Sequence, residues 1–218
     1  MTLIEGLVAI LIVSAVGTAI TPMMFLSVAT RVQNRRAEQA VQLAHGQIDQ
    51  VRVLIEQGIN DEDDVRELPY HVEGATSVRE VGPPTQVFNQ LLSTNFECSQ
   101  LSAIDLATVT ADRAFPVDIN GNCEADFFVQ TYRTNQVVAR RDGEDIPVVF
   151  AMGVRVYYRN ADFGNLETDE ASLVMTTGEG QQTTRPLAAL YTVMAQGDTR
   201  VSLDRYHCFL GSNVPGCD

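Results

Sequence analysis

The sequence predicts an α+β protein, with one long N-terminal helix packed on a C-terminal antiparallel β-sheet domain. Three observations predict it. Residues 6–30 carry no charge at all. From Arg31 to Gly58 apolar residues recur at helical spacing. Beyond residue 59, short strand-like runs alternate with turn signals, and all four cysteines lie there. The chain of 218 residues thus divides into a long helix, 1–58, and a β-rich domain, 59–218.

The first part of the helix is "GLVAILIVSAVGTAITPMMFLSVAT", residues 6–30. Twenty-five residues at a 1.5 Å rise make about 37 Å of helix, enough for a bilayer core of roughly 30 Å. A secretory signal peptide would begin with basic residues and have a shorter apolar stretch. The predicted segment 1–30 is therefore transmembrane. Gly17 and Pro22 interrupt it, because Pro lacks an N–H and crowds the preceding turn. One reading is a kink; the other is a stretch that melts and extends when the helix leaves lipid.

The helix continues past the apolar run. Ala37, Val41, Ala44, Ile48, Val51 and Ile55 fall on one face, with Arg35, Arg36, Gln39, Gln42, Asp49, Gln50 and Arg52 around it. Gly58 supplies the stop signal, and "INDEDD" the loop after it.

Glu5 is the one charged residue in 2–30. A carboxylate in an apolar setting costs several kcal/mol unless it is paired or neutralised. At the membrane edge it would sit in water. Otherwise it needs a cation, and the nearest is the α-amine of Met1, or that of a neighbouring copy in a packed array.

Composition narrows the function further. The formal net charge is −13, and every one of the 15 basic residues is Arg. Such a surface argues against nucleic-acid binding, which needs clustered cations to displace counterions. His45, His71 and His207 are scattered, and no nucleophile elbow, GxGxxG or phosphate loop appears. The acid run "NDEDD", 60–64, invites a Ca²⁺ reading but lacks the Gly and distal Glu of a calcium loop, so a solvated loop is expected. No enzyme activity, cofactor or metal is expected.

In the domain, "ADFFVQTYR" and "QVVAR" read as two short strands joined by a turn near Thr134–Asn135. "VVFAMGVRVYYR" (148–159) alternates, with Val154, Val156 and Tyr158 on one face and Arg155, Tyr157 and Arg159 on the other. "ASLVMTT", "LAALYTVMAQ" and "TRVSLDRYHC" read as further strands, separated by "RDGED", "ADFGN", "TGEGQQ" and "QGD". "TQVFNQLLSTNF" (85–96) reads as a short helix.

The stretch "MTLIEGLVAILIVSAVG", with Glu5, the uncharged run, Gly17 and Pro22, resembles the N-terminus of mature type IV pilins and pseudopilins. The resemblance covers about a quarter of the chain. It implies that residue 1 is a processed end, left when a prepilin peptidase removes a leader and methylates the new amine. Met1, Thr2 and Glu5 would then serve processing and assembly. Segment 1–30 would be a membrane anchor first and a filament core afterwards. Glu5 would seek the amine of the last subunit and set axial register, while Gly17 and Pro22 mark a helix break in the filament.

The implied partners are copies of this chain in a helical filament, other pilins, the membrane, the peptidase and the assembly machinery. The implied location is the inner membrane before assembly and an extracellular pilus after it. Motility and adhesion are roles of such filaments. A minor pilin or pseudopilin of a secretion or tip complex, and a solitary membrane-anchored extracellular domain, are the alternatives.

Arg31, Arg35 and Arg36 oppose this orientation under the positive-inside rule. The even cysteine count favours an oxidising compartment and supports it. Four cysteines allow three pairings, of which Cys98–Cys123 and Cys208–Cys217 are preferred. The second closes "CFLGSNVPGC", whose Gly and Pro residues suit tight turning and which resembles the C-terminal disulfide loop frequent in the family. Zinc is disfavoured, because no C-x₂₋₄-C pair exists.

Overall fold

A computed structural model describes residues 2–98, 109–141, 143–172, 179–197 and 201–211. Of the helix and strand residues within these ranges, the side chains at 19–23, 25, 26, 141, 179, 180, 201, 202 and 204 lie outside the description.

Helix α1 runs from Leu3 to Gln57 without interruption. It passes through Gly17 and Pro22, so in the single chain the expected break is not present; the break was expected for the filament. Ser14 and Thr18 turn their hydroxyls back onto the helix, Ser14 Oγ donating to Ile10 O at 2.8 Å and Thr18 Oγ1 to Ala15 O at 3.0 Å. Gly58 ends the helix at φ 90°, a conformation that favours glycine, and its N–H reaches Ile55 O. The acid run that follows forms a short helix, α2 (Glu62–Arg66), rather than an open loop. Asp61 caps it by accepting from the Asp64 N–H at 3.0 Å.

A six-stranded sheet follows. Its strands are β1 (Gln86–Val87), β2 (Leu92–Ser93), β3 (Arg113–Asp118), β4 (Phe127–Arg141), β5 (Glu144–Tyr158) and β6 (Ala188–Ala195). The order is β1-β3-β4-β5-β6, with β2 also paired to β3. The sheet is mixed, not purely antiparallel: β1 and β2 each join β3 in parallel, and the remaining pairs are antiparallel.

Four local expectations are corrected. The two short strands predicted at 125–133 and 136–140 are one strand, β4. Asn135 does take a positive φ of 48°, as a turn residue would. It sits instead in a register shift between Thr134 and Val137, so the chain bulges and continues. The reversal comes at Gly143, φ 99°, between Arg141 and Glu144. Stretch 85–96 is extended rather than helical, because edge pairing with β3 claims its backbone: Gln86 N donates to Asp112 O and Phe88 N to Ala114 O. Part of "TGEGQQ" is helical in α3 (Glu179–Thr184). "TRVSLDRYHC" contributes not a strand but helix α4 (Val201–Phe209). Of the "ASLVMTT" strand, Ala171 and Ser172 are irregular and the rest lies outside the described residues.

One buried apolar cluster joins α1 to the sheet. Ala40, Ala44, Ile48, Val51 and Ile55 from the helix meet Phe127, Val129, Phe150, Met152, Val154 and Val156 from the strands. The helix stripe differs from the predicted one at a single place. Ala40 is fully buried, whereas Val41 is 37% exposed.

On the opposite sheet face Arg155 and Tyr157 are both fully buried. A strap of irregular chain between Tyr70 and Thr85 lies over it. Arg155 holds that strap. Its Nη1 donates to Val81 O at 2.7 Å and Gly82 O at 3.1 Å, and its Nη2 donates to Arg79 O at 3.2 Å. Its Nε donates to the Tyr191 hydroxyl at 3.1 Å. Tyr132 donates its hydroxyl to Val78 O at 2.9 Å. The ring lies over Gly153, directly across the ladder, where an added Cβ would come within 2.6 Å of Tyr132 Cζ.

Candidate functional site

The N-terminal half of α1 carries the residues that the sequence singles out. Met1 lies outside the described residues. Thr2 precedes the helix in an extended conformation, φ −84° and ψ 152°. Glu5 stands at the third helical position and reaches back, its Oε2 accepting from the Thr2 N–H at 3.3 Å. An acid here satisfies one of the four N–H groups that a helix start leaves open. The carboxylate also lies at the positive end of the helix dipole.

Around Glu5 the apolar side chains have no cover. Leu3 is 91% exposed, Ile4 77% and Val13 70%. Their neighbours Leu7, Ile10, Leu11 and Val16, and Met24 and Val28 farther along, are exposed as well. Among the described residues no helix is long and apolar enough to cross a membrane. The transmembrane expectation is thereby limited to the sequence: the run read from it passes through 19–23, 25 and 26, whose side chains the structure does not describe.

All four cysteines lie beyond α1. Cys98 and Cys123 form a disulfide, with Cα atoms 5.1 Å apart. Cys208 is disulfide-bonded too, and its predicted partner, Cys217, lies outside the described residues. The loop carrying Cys123 is pinned by two carboxylates. Asp118 is fully buried and accepts from the Gly121 N–H at 2.7 Å, the Cys123 N–H at 2.8 Å and Ser93 Oγ at 2.7 Å. Burial alone would raise its pKa; the hydrogen bonds outweigh burial and hold the carboxyl below its ordinary range. Asp126 accepts from the Ile119 and Asn120 N–H groups at 3.0 and 3.2 Å.

Two clefts open where α1 meets the domain. One, of about 440 Å³, lies between Gln39, Gln42 and Leu43 of α1 and Leu92, Thr94 and Ile119 of the sheet edge. The other, of about 240 Å³, sits nearer the apolar half, lined by Arg35, Arg36, Asn120, Asp126, Phe127 and Tyr158. There the Arg36 guanidinium lies 4.5 Å from the centre of the Tyr158 ring, within cation–π range.

Nothing in the described residues gathers three or more His, Cys, Asp or Glu side chains in a metal-holding group. His45 and His207 are exposed on their helices. His71 forms an isolated bridge to Arg133 on β4. Burial, and then the Arg133 charge, push its pKa down, against the opposite pull of Glu73. Sequence reasoning missed Arg133 and Arg155, two guanidiniums buried in a strand. Arg133 Nε and Nη1 make no hydrogen bond, and desolvation lowers its pKa to about 10. The available signal was Arg155 within a largely apolar run, but alternation alone does not tell what covers its face.

The chain matches no family model, no curated protein and no solved structure.

Proposed function

We propose that this chain is a structural subunit of a type IV pilus-like filament, inserted in a membrane through residues 1–30 before assembly and carried outside the cell afterwards. The observation that carries the proposal is the single carboxylate, Glu5, at the head of a helix whose first half has no cover from its own domain. Exposed Leu, Ile and Val side chains over more than four turns require lipid or other helices around them. Glu5 supplies what such a bundle lacks, a charge that fixes register. In the free subunit it is satisfied by its own Thr2 N–H; in the filament the N-terminal amine of a neighbour takes its place. Buried ion pairs are best attested in this role of setting register.

The apolar half then forms the filament core, and the domain, stapled by its disulfides, forms the outer layer. Processing by a prepilin peptidase and methylation of the amine at Met1 follow from the same reading, as does a helix break between Gly17 and Pro22 within the filament. A minor or pseudopilin role uses the same contacts in shorter assemblies.

Replacing Glu5 tests the proposal against the solitary anchor. As sole subunit, Glu5→Ala should insert in membranes as the parent does but yield few or no filaments. Filament yield equal to that of the parent would overturn the docking role and leave the anchor.

A further inference from the structure

We infer that Arg31, Arg35 and Arg36, with the cleft they flank, bind the phosphate of an anionic lipid headgroup and seat the domain on the bilayer. The inference rests on the membrane insertion proposed above. It starts from charge placement. The chain carries a net charge of −13, yet from residue 6 to residue 48 it has three arginines against one carboxylate, Glu38. Arg31 and Arg35 lie one turn apart on the same helix face, both exposed, and neither makes an ion pair among the described residues.

Depth comes next. The uncharged run is about 37 Å long against a hydrocarbon core of roughly 30 Å, so Arg31 emerges at or just beyond the core edge. Arg35 and Arg36 stand about 6–8 Å farther along the axis. The headgroup layer on each side of a bilayer is about 5–8 Å thick. The three guanidiniums therefore lie at phosphate depth. They offer planar forks suited to phosphate oxygens, which Lys would meet only as a point charge.

The structure adds a receptacle. The cleft of about 240 Å³ opens between Arg35 and Arg36 of α1 and the loop holding Asn120. Its one carboxylate, Asp126, is engaged by the Ile119 and Asn120 N–H groups and, at 2.9 Å, by Asn120 Nδ2. Arg36 is held in place over Tyr158. An anionic headgroup offsets the cost of placing cations on this side of the membrane. It also sets the height at which the domain waits before assembly.

The test places the full chain in vesicles of phosphatidylcholine containing a minor fraction of phosphatidylglycerol, each lipid spin-labelled in turn. The expected result is a preference for phosphatidylglycerol of roughly fivefold or more at low salt, since each surface arginine contributes about that factor. The preference should collapse in 1 M salt, where the screening length is about 3 Å. The variant R31Q/R35Q should fall below about twofold. R36Q should show a smaller loss, and R52Q, about 25 Å along the helix from Arg35, none. Equal association with both lipids by an inserted wild-type chain would overturn the inference, as would full preference in R31Q/R35Q. A chain that enters neither membrane would overturn the insertion itself, a separate and recognisable outcome.

Discussion

The two halves of α1 share one unbroken helix and have opposite surroundings. From Ala37 to Ile55 a single stripe is buried against the sheet and polar residues face out. From Leu3 to Val28 the described apolar residues are exposed on every side. The C-terminal half is covered within one chain and the N-terminal half is not. The periodicity shows which is which: a 3.6-residue stripe declares one covered face, while apolar residues all round declare cover from every direction. The cover that this domain gives the helix therefore ends at about residue 35.

The sharpest test of this comparison is a matched pair of truncations. Ile48→Ala should lower the stability of the folded domain by about 2–5 kcal/mol, the range for a buried large-to-small change. Leu11→Ala, on the uncovered half, should stay within roughly 0.5 kcal/mol in the detergent-solubilised single chain. Urea denaturation followed by far-UV circular dichroism measures both. A loss of several kcal/mol from Leu11→Ala would mean that this half is covered within the subunit.

A second test leaves the helix face of the sheet and probes the strap face. Gly153→Ala puts a Cβ into the Tyr132 ring, and overpacking of this kind costs about 1–3 kcal/mol. Tyr132→Ala should relieve it, so the double variant should lose less than the sum of the singles. Additivity would show that the close approach carries no energy.

The smallest expected effect is on pH dependence, and it too is confined to the covered part of the molecule. His71 has a folded pKa below 6.5, so the neutral form is favoured in the folded state. Its contribution is whole above pH 6.5 and is lost as pH falls through the lower, folded value. Asp118 has the same sign in a more acidic window: its contribution is whole above the ordinary carboxylate range and is lost as pH falls through its depressed folded pKa. Denaturation midpoints should therefore decline from pH 7 toward pH 5, and His71→Gln should flatten that decline. An unchanged slope in the variant would remove His71 from the account.

The sequence made α1 legible because its signals agree: uncharged run, stripe and terminal glycine all describe one helix. It failed on Val41 against Ala40 because neighbouring positions differ by only 100° around the axis, and only the sheet decides which fits. Small Ala40 allows close approach where Val41 would not. The strand content of β4 and β5 was legible from Val, Phe and Tyr, but the hairpin was misplaced. Asn135 can serve a bulge or a turn, and the choice depends on a partner strand. Helix α4 was missed because Val201 and Leu203 mimic alternation over a short span, while among its described side chains Arg205, Cys208 and Phe209 are the less exposed. The burial of Arg155 was not legible because alternation reports which face a residue is on, not what covers that face. The strap that covers it is irregular chain, and irregular chain leaves no periodic trace. Glu5 was the reverse case. Its oddity was plain in the sequence, and the single chain explains only its half of a capping box.

The central claim is that copies of this helix cover one another, with Glu5 at the join. A map of filaments made by cells expressing this chain tests it directly. The account predicts a core built from residues 3–30 of many subunits, with each Glu5 carboxylate within about 4 Å of a neighbour's N-terminal nitrogen, the reach of an ion pair. A core made by other segments, or helices bundled with Glu5 facing solvent, would contradict it.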